Sequence, residues 1–467
     1  MKCPLTERGC GGCIELAVPY GEHLKRKQAA FVKLFPNALP IVGMEDPRHY
    51  RAKVLSTFAN GRSGLYSGIY AAGSHRVLSV RDCILHDKRA DEIIGAVREM
   101  LAQTGLKAYD EDAGTGTLRH MLVRRAAGTG EVLLTLVTPS DVLPDGRSLA
   151  AEIVRLCPDV RSVVQNVNPR KTSAVLGFRE HVLYGPGYVD DLLMDTRFRI
   201  SSRSFYQVNS RQTEKLYGRA LALANLTGRE TVLDAYCGVG TIGILAAKQA
   251  AHVTGVEFNA DAVKNAVTNA RLNGLSNIDF LRGDASRVLA EKRLDADVVF
   301  LDPPRAGCER PFLEALCAAK PQTVVYVSCC PETQARDVKL LTRRGYTLQS
   351  VQPVDMFPFT PHVETVCQLV LRNPVTHINI DVDVEELVQD KRGQATYPKI
   401  KEYVLEHSGL KVSSLYIAQV KQKYGIIERE NYYKAKSENA RQPKCPAEKE
   451  KAIEEALRHF GMIGTQD

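Results

Sequence analysis

Asp234-Ala235-Tyr236-Cys237-Gly238-Val239-Gly240-Thr241-Ile242-Gly243 is the stretch on which the reading of this chain turns. An apolar run leads into it and another, through Leu245-Ala246-Ala247, leads out, so it reads as a strand, a glycine-rich turn and the start of a helix. Glycines at such a turn let the backbone approach a ligand closely. Further strands are expected over 253–258, 297–301 and 323–328, in addition to 231–236, with helical stretches between them. That alternation predicts a parallel sheet with helices on both faces.

In such a sheet, ligands bind at the carboxyl ends of the strands. Glu257 ends the strand after the glycine turn, where a carboxylate can accept both hydroxyls of a ribose. The two elements together indicate an adenosine-containing cofactor. Asp302-Pro303-Pro304-Arg305 ends the next strand; such a third element is foreign to the nicotinamide fingerprint and suits a methyl donor. The strand Val324-Val325-Tyr326-Val327-Ser328 then delivers Cys329 to the same edge. A thiolate there can attack carbon 6 of a uracil, which makes carbon 5 electron-rich enough to accept a methyl cation. The carbon 5 proton must afterwards leave to a base, and Glu364 is the candidate, with His362 as its competitor.

Outside this sheet, residues 40–195 read as short strands between turns, for instance Met121-Leu122-Val123-Arg124-Arg125 and Glu131-Val132-Leu133-Leu134-Thr135-Leu136-Val137 around a glycine-containing turn. After Asn373 a polar, lysine-rich tail carries two helical patterns, 397–407 and 413–424. With 467 residues the chain needs more than one core. The expected division is 1–198 (β-rich, RNA-binding, with an N-terminal cysteine group), 199–374 (Rossmann-like) and 375–467 (helical, helix-turn-helix-like). In the tail Lys421 and Lys423 stand beside an apolar stripe of Ile417, Val420 and Tyr424, a pattern that also fits a plain helical hairpin.

The formal net charge of +8 leans toward a polyanionic partner. In the β-rich region Arg48, Arg51, Lys53, Arg119, His120, Arg124 and Arg125 could track phosphates or form a solvated face. Twelve cysteines are too few for a disulfide scaffold at this length, and no secretory segment opens the chain, so a reduced, cytoplasmic setting is expected. The most apolar stretch, 240–256, is broken by Lys248 and His252, so no membrane span is expected. Cys3, Cys10, Cys13 and Cys83 form a thiolate set that suits an iron-sulfur cluster or a zinc ion.

These motifs, in this order, resemble the family of RNA uracil-5 methyltransferases. The resemblance runs through Ser204-Phe205-Tyr206-Gln207-Val208-Asn209, the 234–243 loop, Gly255-Val256-Glu257, Asn265-Ala266, Asp302-Pro303-Pro304-Arg305, 325–329, Arg336-Asp337 and the segment ending at Glu364. It implies a class I S-adenosylmethionine methyltransferase fold, with Gln207, Tyr236, Glu257 and Asp302 on S-adenosylmethionine. Cys329 would be the nucleophile and Glu364 the base. By resemblance to the ribosomal-RNA members, Cys3, Cys10, Cys13 and Cys83 would hold a [4Fe-4S] cluster and the substrate would be 23S rRNA. Two departures stand out. Cys330-Pro331 follows the nucleophile where the family usually has Asn, and the chain opens at the cysteines, without the small β-barrel that many members carry first. The rival readings are a tRNA substrate, methylation of an exocyclic amine, and an iron-sulfur RNA-binding protein without catalysis.

Overall fold

The computed structural model describes residues 2–62, 64–172, 174–292, 295–372, 397–424, 426 and 445–463. The chain divides into two compact units, Met1–Arg372 and Asn373–Asp467.

The first unit opens with α1 (Pro4–Glu7) and α2 (Tyr20–Phe31), followed by β1 (Lys53–Gly61), β2 (Gly64–Tyr70), β3 (Val77–Ser79), α3 (Lys88–Ala102), β4 (His120–Arg125), β5 (Val132–Thr138), α4 (Gly146–Leu156), β6 (Val160–Val167) and β7 (Arg179–Tyr184). These strands form one sheet in the order β3-β2-β1-β4-β5-β6-β7. The expected hairpin is β4 against β5, pairing His120 with Val137 through to Arg125 with Val132. The sequence reading had not anticipated α3 and α4. Ile93, Ile94, Val97 and Leu101 form an apolar stripe on α3, and Leu149, Ala150 and Ile153 one on α4. Both stripes pack on one face of the sheet, on strand residues such as Met121, Val123 and Leu134, while Leu133 on the other pleat joins a core with Val189 and Phe198, so β5 is buried along its whole length.

The expected basic face is corrected too, and not by those helices, since His120 and Arg124 alternate with Met121 and Val123 and lie on the opposite pleat. Arg119, His120 and Arg124 are buried. Arg119 donates to the carbonyls of Asn168 and Arg170 and pairs with Glu111, His120 bonds Thr57, and Arg124 donates to the Ser204 carbonyl. Arg48 and Arg125 pair with Asp46 and Asp87.

The hairpin of β8 (Tyr188–Leu193) and β9 (Thr196–Ser201) bridges to the second sheet, and the expected boundary at 198/199 falls inside β9. The chain continues through α5 (Ser210–Ala224), β10 (Thr231–Asp234), α6 (Thr241–Ala247), β11 (His252–Glu257), α7 (Ala260–Leu272), β12 (Ile278–Arg282), α8 (Ala285–Lys292), β13 (Val298–Leu301), α9 (Arg310–Ala319), β14 (Thr323–Ser328), α10 (Pro331–Arg343), β15 (Tyr346–Val354) and β16 (Glu364–Leu371). The sheet order is β12-β11-β10-β13-β14-β16-β15. It is parallel from β12 to β14, and β16 runs antiparallel between β14 and β15.

Successive residues of the central strands alternate between two cores. Val298, Phe300, Val325 and Val327 join one with Ile244 and Leu216, while Val299, Leu301, Val324 and Tyr326 join the other with Phe312 and Leu341. Apolar side chains on both pleats therefore meet helices on both faces, which is why these strands read as continuous apolar runs.

The second unit contains α11 (Tyr397–Ser408), α12 (Ser414–Lys423) and α13 (Ala447–His459) around Ile400, Val404, Ile417, Val420, Ile453 and Leu457. The two expected helices are present, with the Ser413 hydroxyl capping α12 by accepting from the Tyr416 amide at 3.3 Å. The third helix had not been anticipated, and it changes the reading of the lysines. Lys421 is buried with its ammonium 4.7 Å from the Tyr397 ring centroid, and Lys423 donates to Glu450 at 2.6 Å and Glu454 at 2.9 Å. The expected domain boundary near 374 and much of the lysine-rich tail lie outside the described residues. Among the described residues no helix is long and apolar enough to cross a membrane.

Candidate active site

The turn between β10 and α6 is held by its own carboxylate. Asp234, buried at the end of β10, accepts the Gly243 amide at 2.8 Å. Gly240 has φ +83, and a Cβ there would come within about 3.0 Å of Ile244 and Phe280, so glycine is required. Gly238, at φ +54, faces open space. Its amide donates to Glu257 at 3.1 Å, and the other oxygen of Glu257 accepts the Asn259 amide at 2.7 Å. Each carboxylate oxygen accepts more than one hydrogen bond, so Glu257 is pre-oriented yet retains acceptor capacity toward the cavity.

That cavity, about 630 Å³, brings together Gln207, Tyr236, Glu257, Asp302, Cys329 and Glu364, with Asp234 and Arg305 also on its wall. Its size and mixed lining are those of a small-molecule site. Phe205 and Phe258 lie on it with 72% and 76% of their surface exposed, which places two aromatic rings at its mouth. The pairing of β14 with β16 explains why Cys329 and Glu364 meet despite their separation in sequence. Ser328 opposes Thr365 across the antiparallel ladder, so the next residue outward on each strand is Cys329 on one and Glu364 on the other.

The electrostatics are those of an acidic pocket with one internal counter-charge. Burial pushes the Asp234 carboxyl up to about 7, against the lowering effect of the Gly243 amide. Burial, with Glu364 and Asp234 nearby, holds Asp302 well above the carboxylate range. Burial also raises Glu364 to about 7, and Arg305 opposes this. The Cys329 thiol is pushed up to about 11 by burial and by Glu364 and Asp302, again opposed by Arg305. Such a cavity favours a cationic ligand, whose charge stabilises the ionised carboxylates.

Cys330 and His362 sit differently. Both line a smaller neighbouring cavity of about 370 Å³, which also touches Cys329, Arg305 and Lys27; neither lines the larger cavity. The Cys330 thiol points to Glu332 at 3.4 Å. Of the two adjacent thiols, Cys329 is the one beside Glu364 and Asp302.

Arg336 and Asp337, quoted above only as part of a motif, hold the loop that follows Asp302. Asp337 accepts the Cys308 amide and the Tyr326 hydroxyl, each at 2.8 Å, and Arg336 donates to the carbonyls of Ala306 and Cys308. The sequence reading also missed Asp234 and Arg305 as charges on the cavity. The position of Asp234 as the last residue of β10, and of Arg305 in the Asp302–Arg305 segment that follows β13, is the signal that could have found them.

At the N-terminal end, Cys3, Cys10, Cys13 and Cys83 line one cavity of about 450 Å³ together with Arg51, Lys53 and His86. Burial and the three other thiols push Cys13 up to about 11. For Cys83 burial is again the largest effect and raises it, but the hydrogen bond and charge of His86 and the backbone amides of Leu85 and His86 together bring it down. Among the described residues no three cysteine, histidine or acidic side chains are drawn together as a single-ion site. Four thiols lining one cavity are the donor set that an iron-sulfur cluster or a zinc ion would use.

Comparison with known proteins gives concordant results. The profile of the tRNA (uracil-5-)-methyltransferase family matches residues 179–372. An uncharacterized RNA methyltransferase of Halalkalibacterium halodurans is 42% identical over 382 residues, covering 79% of this chain and 83% of that protein. Another from Listeria innocua is 43% identical over 375 residues, covering 78% and 82%. Among solved structures, the tRNA (uracil-54, C5)-methyltransferase of Pyrococcus abyssi in complex with S-adenosyl-L-homocysteine superposes with a TM-score of 0.66 at 27% identity, covering 78% of this chain and 86% of that one.

Proposed function

The chain belongs to the RNA uracil-5 methyltransferase family, and from that premise we propose that it methylates carbon 5 of a uridine in 23S rRNA, with Cys329 as nucleophile and Glu364 as base. The single observation that carries this is the placement of Cys329 beside Glu364 in a cavity also lined by the glycine turn and Glu257.

Gln207, Tyr236, Glu257 and Asp302 are the residues that would hold S-adenosylmethionine, which when bound supplies an electrophilic methyl group on a cationic sulfur. Glu257 would accept from the ribose hydroxyls, and the acidic wall of Asp302 and Asp234 suits the positive charge. Cys329, its proton lost to water, attacks as the thiolate and forms a bond to carbon 6 of the uracil, pushing the ring electrons toward carbon 5 and oxygen 4. Once carbon 5 carries the methyl group, Glu364 removes its proton. The electron pair re-forms the ring double bond and the Cys329 thiolate leaves. The target base must leave its stack to reach a thiol inside this cavity.

The preference for 23S rRNA rests on the four-cysteine site, read as the holder of a [4Fe-4S] cluster, which iron and sulfide analysis of anaerobically purified protein tests. The Pyrococcus abyssi relative acts on tRNA, and this favours tRNA as the second reading. We also read the β-rich part of the first unit as an RNA-binding region, the helical unit as an appended module, and the setting as cytoplasmic. Incubating the protein with S-adenosylmethionine and in vitro-transcribed 23S rRNA or tRNA, followed by nucleoside analysis, decides the substrate. 5-Methyluridine in the ribosomal transcript alone is expected, and methylation confined to tRNA overturns that choice.

A further inference from the structure

The loop that ends at Glu364 is gripped by the N-terminal helix α2. Lys27 of α2 is 5% exposed, and its ammonium donates to the Asp355 carboxylate at 2.6 Å, to the His362 carbonyl at 2.6 Å and to the Phe357 carbonyl at 3.1 Å. An ammonium has three protons, and here each has an acceptor in one segment, 355–362. Asp355 opens that segment at the end of β15, and His362 lies two residues before Glu364, so Lys27 ties both ends of the connection between β15 and β16.

The surrounding contacts fix Lys27 and Asp355 in turn. Asp355 is fully buried and accepts the Tyr20 hydroxyl at 2.7 Å on its second oxygen. Tyr20 accepts the Met44 amide at 2.9 Å. Between the tied ends, Phe359 holds φ +63, a strained value for a bulky residue, and its buried ring packs on Tyr20 and His23 of α2 at 5.7 and 6.1 Å between centroids. The Phe359 carbonyl accepts the Glu15 amide and the Pro358 carbonyl accepts the Tyr50 hydroxyl, both at 3.3 Å. Apart from the Asp355 amide on the Val42 carbonyl and a turn from the Thr360 amide to the Phe357 carbonyl, the connection is held by groups from outside it, and Lys27 gives it three of those bonds. Lys27 also lines the smaller cavity on which Cys329 lies.

We propose that Lys27, paired with Asp355, is a positioning residue that sets Glu364 against the target ring, so that its loss leaves formation of the Cys329 adduct intact and stalls its resolution. This rests on the reading of Glu364 as the base. Replacing Lys27 alone strands a buried carboxylate, so the informative variant is the double one, Lys27→Met with Asp355→Asn, which removes both charges together.

The test uses the full chain, S-adenosylmethionine and whichever transcript, 23S rRNA or tRNA, the wild type methylates. It measures release of methylated RNA and, in parallel, protein–RNA adduct stable to denaturing gel electrophoresis. For the folded double variant, turnover is expected to fall about 100-fold, the cost of a misplacement near 1 Å, while adduct accumulates on ordinary uridine. Glu364→Gln is the control. If it gives no adduct, the assignment of Glu364 fails. If it traps adduct while the folded double variant either turns over like wild type or loses adduct and turnover together, the positioning role is overturned. Accumulation in both variants supports it.

Discussion

Resolution of the covalent adduct should depend on pH through a single carboxyl. Glu364 is 4% exposed, and its carboxyl is pushed up to about 7 by burial, against the pull of Arg305. By the time it acts, the methyl donor has become a neutral thioether and the thiol a neutral sulfide, so the charges around Glu364 are those of the protein itself. With a value near 7, the carboxylate fraction is about one-tenth at pH 6 and about nine-tenths at pH 8. Adduct formed at pH 6 and jumped to a series of pH values should therefore resolve about tenfold faster at pH 8 than at pH 6 and level off above that. Arg305→Met, which removes the cation that favours the ionised form, should move the inflection upward. The assay is rapid quench with a radiolabelled methyl group, following loss of protein-bound label. A rate flat from pH 6 to 8 would exclude Glu364 as the base. A rate still climbing tenfold per unit above pH 9 would point instead to hydroxide or to a base whose conjugate acid is much weaker than any carboxyl.

Other consequences are open to simpler measurements. Asp234 and Glu364 both have folded values raised to about 7, so the stability they contribute is full below the ordinary carboxylate range and is lost as pH rises through about 7. The cofactor-free protein should melt at a lower temperature at pH 8 than at pH 5, and a melting temperature that rises over this interval would contradict the account. Glu257→Ala removes an ionised acceptor of the kind worth about 1.5–3 kcal/mol per hydrogen bond. Calorimetry should find S-adenosylhomocysteine bound about 10- to 150-fold more weakly, and a change under threefold would dismiss the ribose role. Because Lys423 is satisfied by Glu450 and Glu454, Lys423→Ala should leave the salt dependence of RNA binding unchanged; a slope reduced by about one would show a phosphate contact.

What could be read from the sequence, and what could not, follows from the range of the interactions involved. The apolar runs of β10, β11, β13 and β14 are local, and the residues at their ends (Glu257, Asp302 and Cys329) could be named because a parallel sheet puts all its carboxyl ends on one edge. Glu364 was also legible, although the antiparallel insertion of β16 that brings it to Cys329 was not. The basic residues of β4 were misjudged because alternation along a strand does not say what covers either face; α3 and α4 cover the Met121 and Val123 side, and on the opposite pleat Arg124 is buried against Ser204 and His120 against Thr57, contacts distant in sequence. Lys421 and Lys423 were misjudged for a similar reason, since their partners lie on α11 and α13 rather than on their own helix. Lys27 carried no signal at all. It stands more than three hundred residues from Asp355, and a lysine in an amphipathic helix is ordinarily solvated.

The most direct test of the central claim is to incubate the protein with S-adenosylmethionine and an RNA transcript containing 5-fluorouridine, then map any covalent attachment by mass spectrometry. Fluorine at carbon 5 cannot be removed as a proton is, so a carbon 5 enzyme is trapped with its nucleophile still bonded to carbon 6. The account predicts RNA attached to Cys329. Attachment to Cys330, or no adduct on a transcript that demonstrably binds, would contradict it.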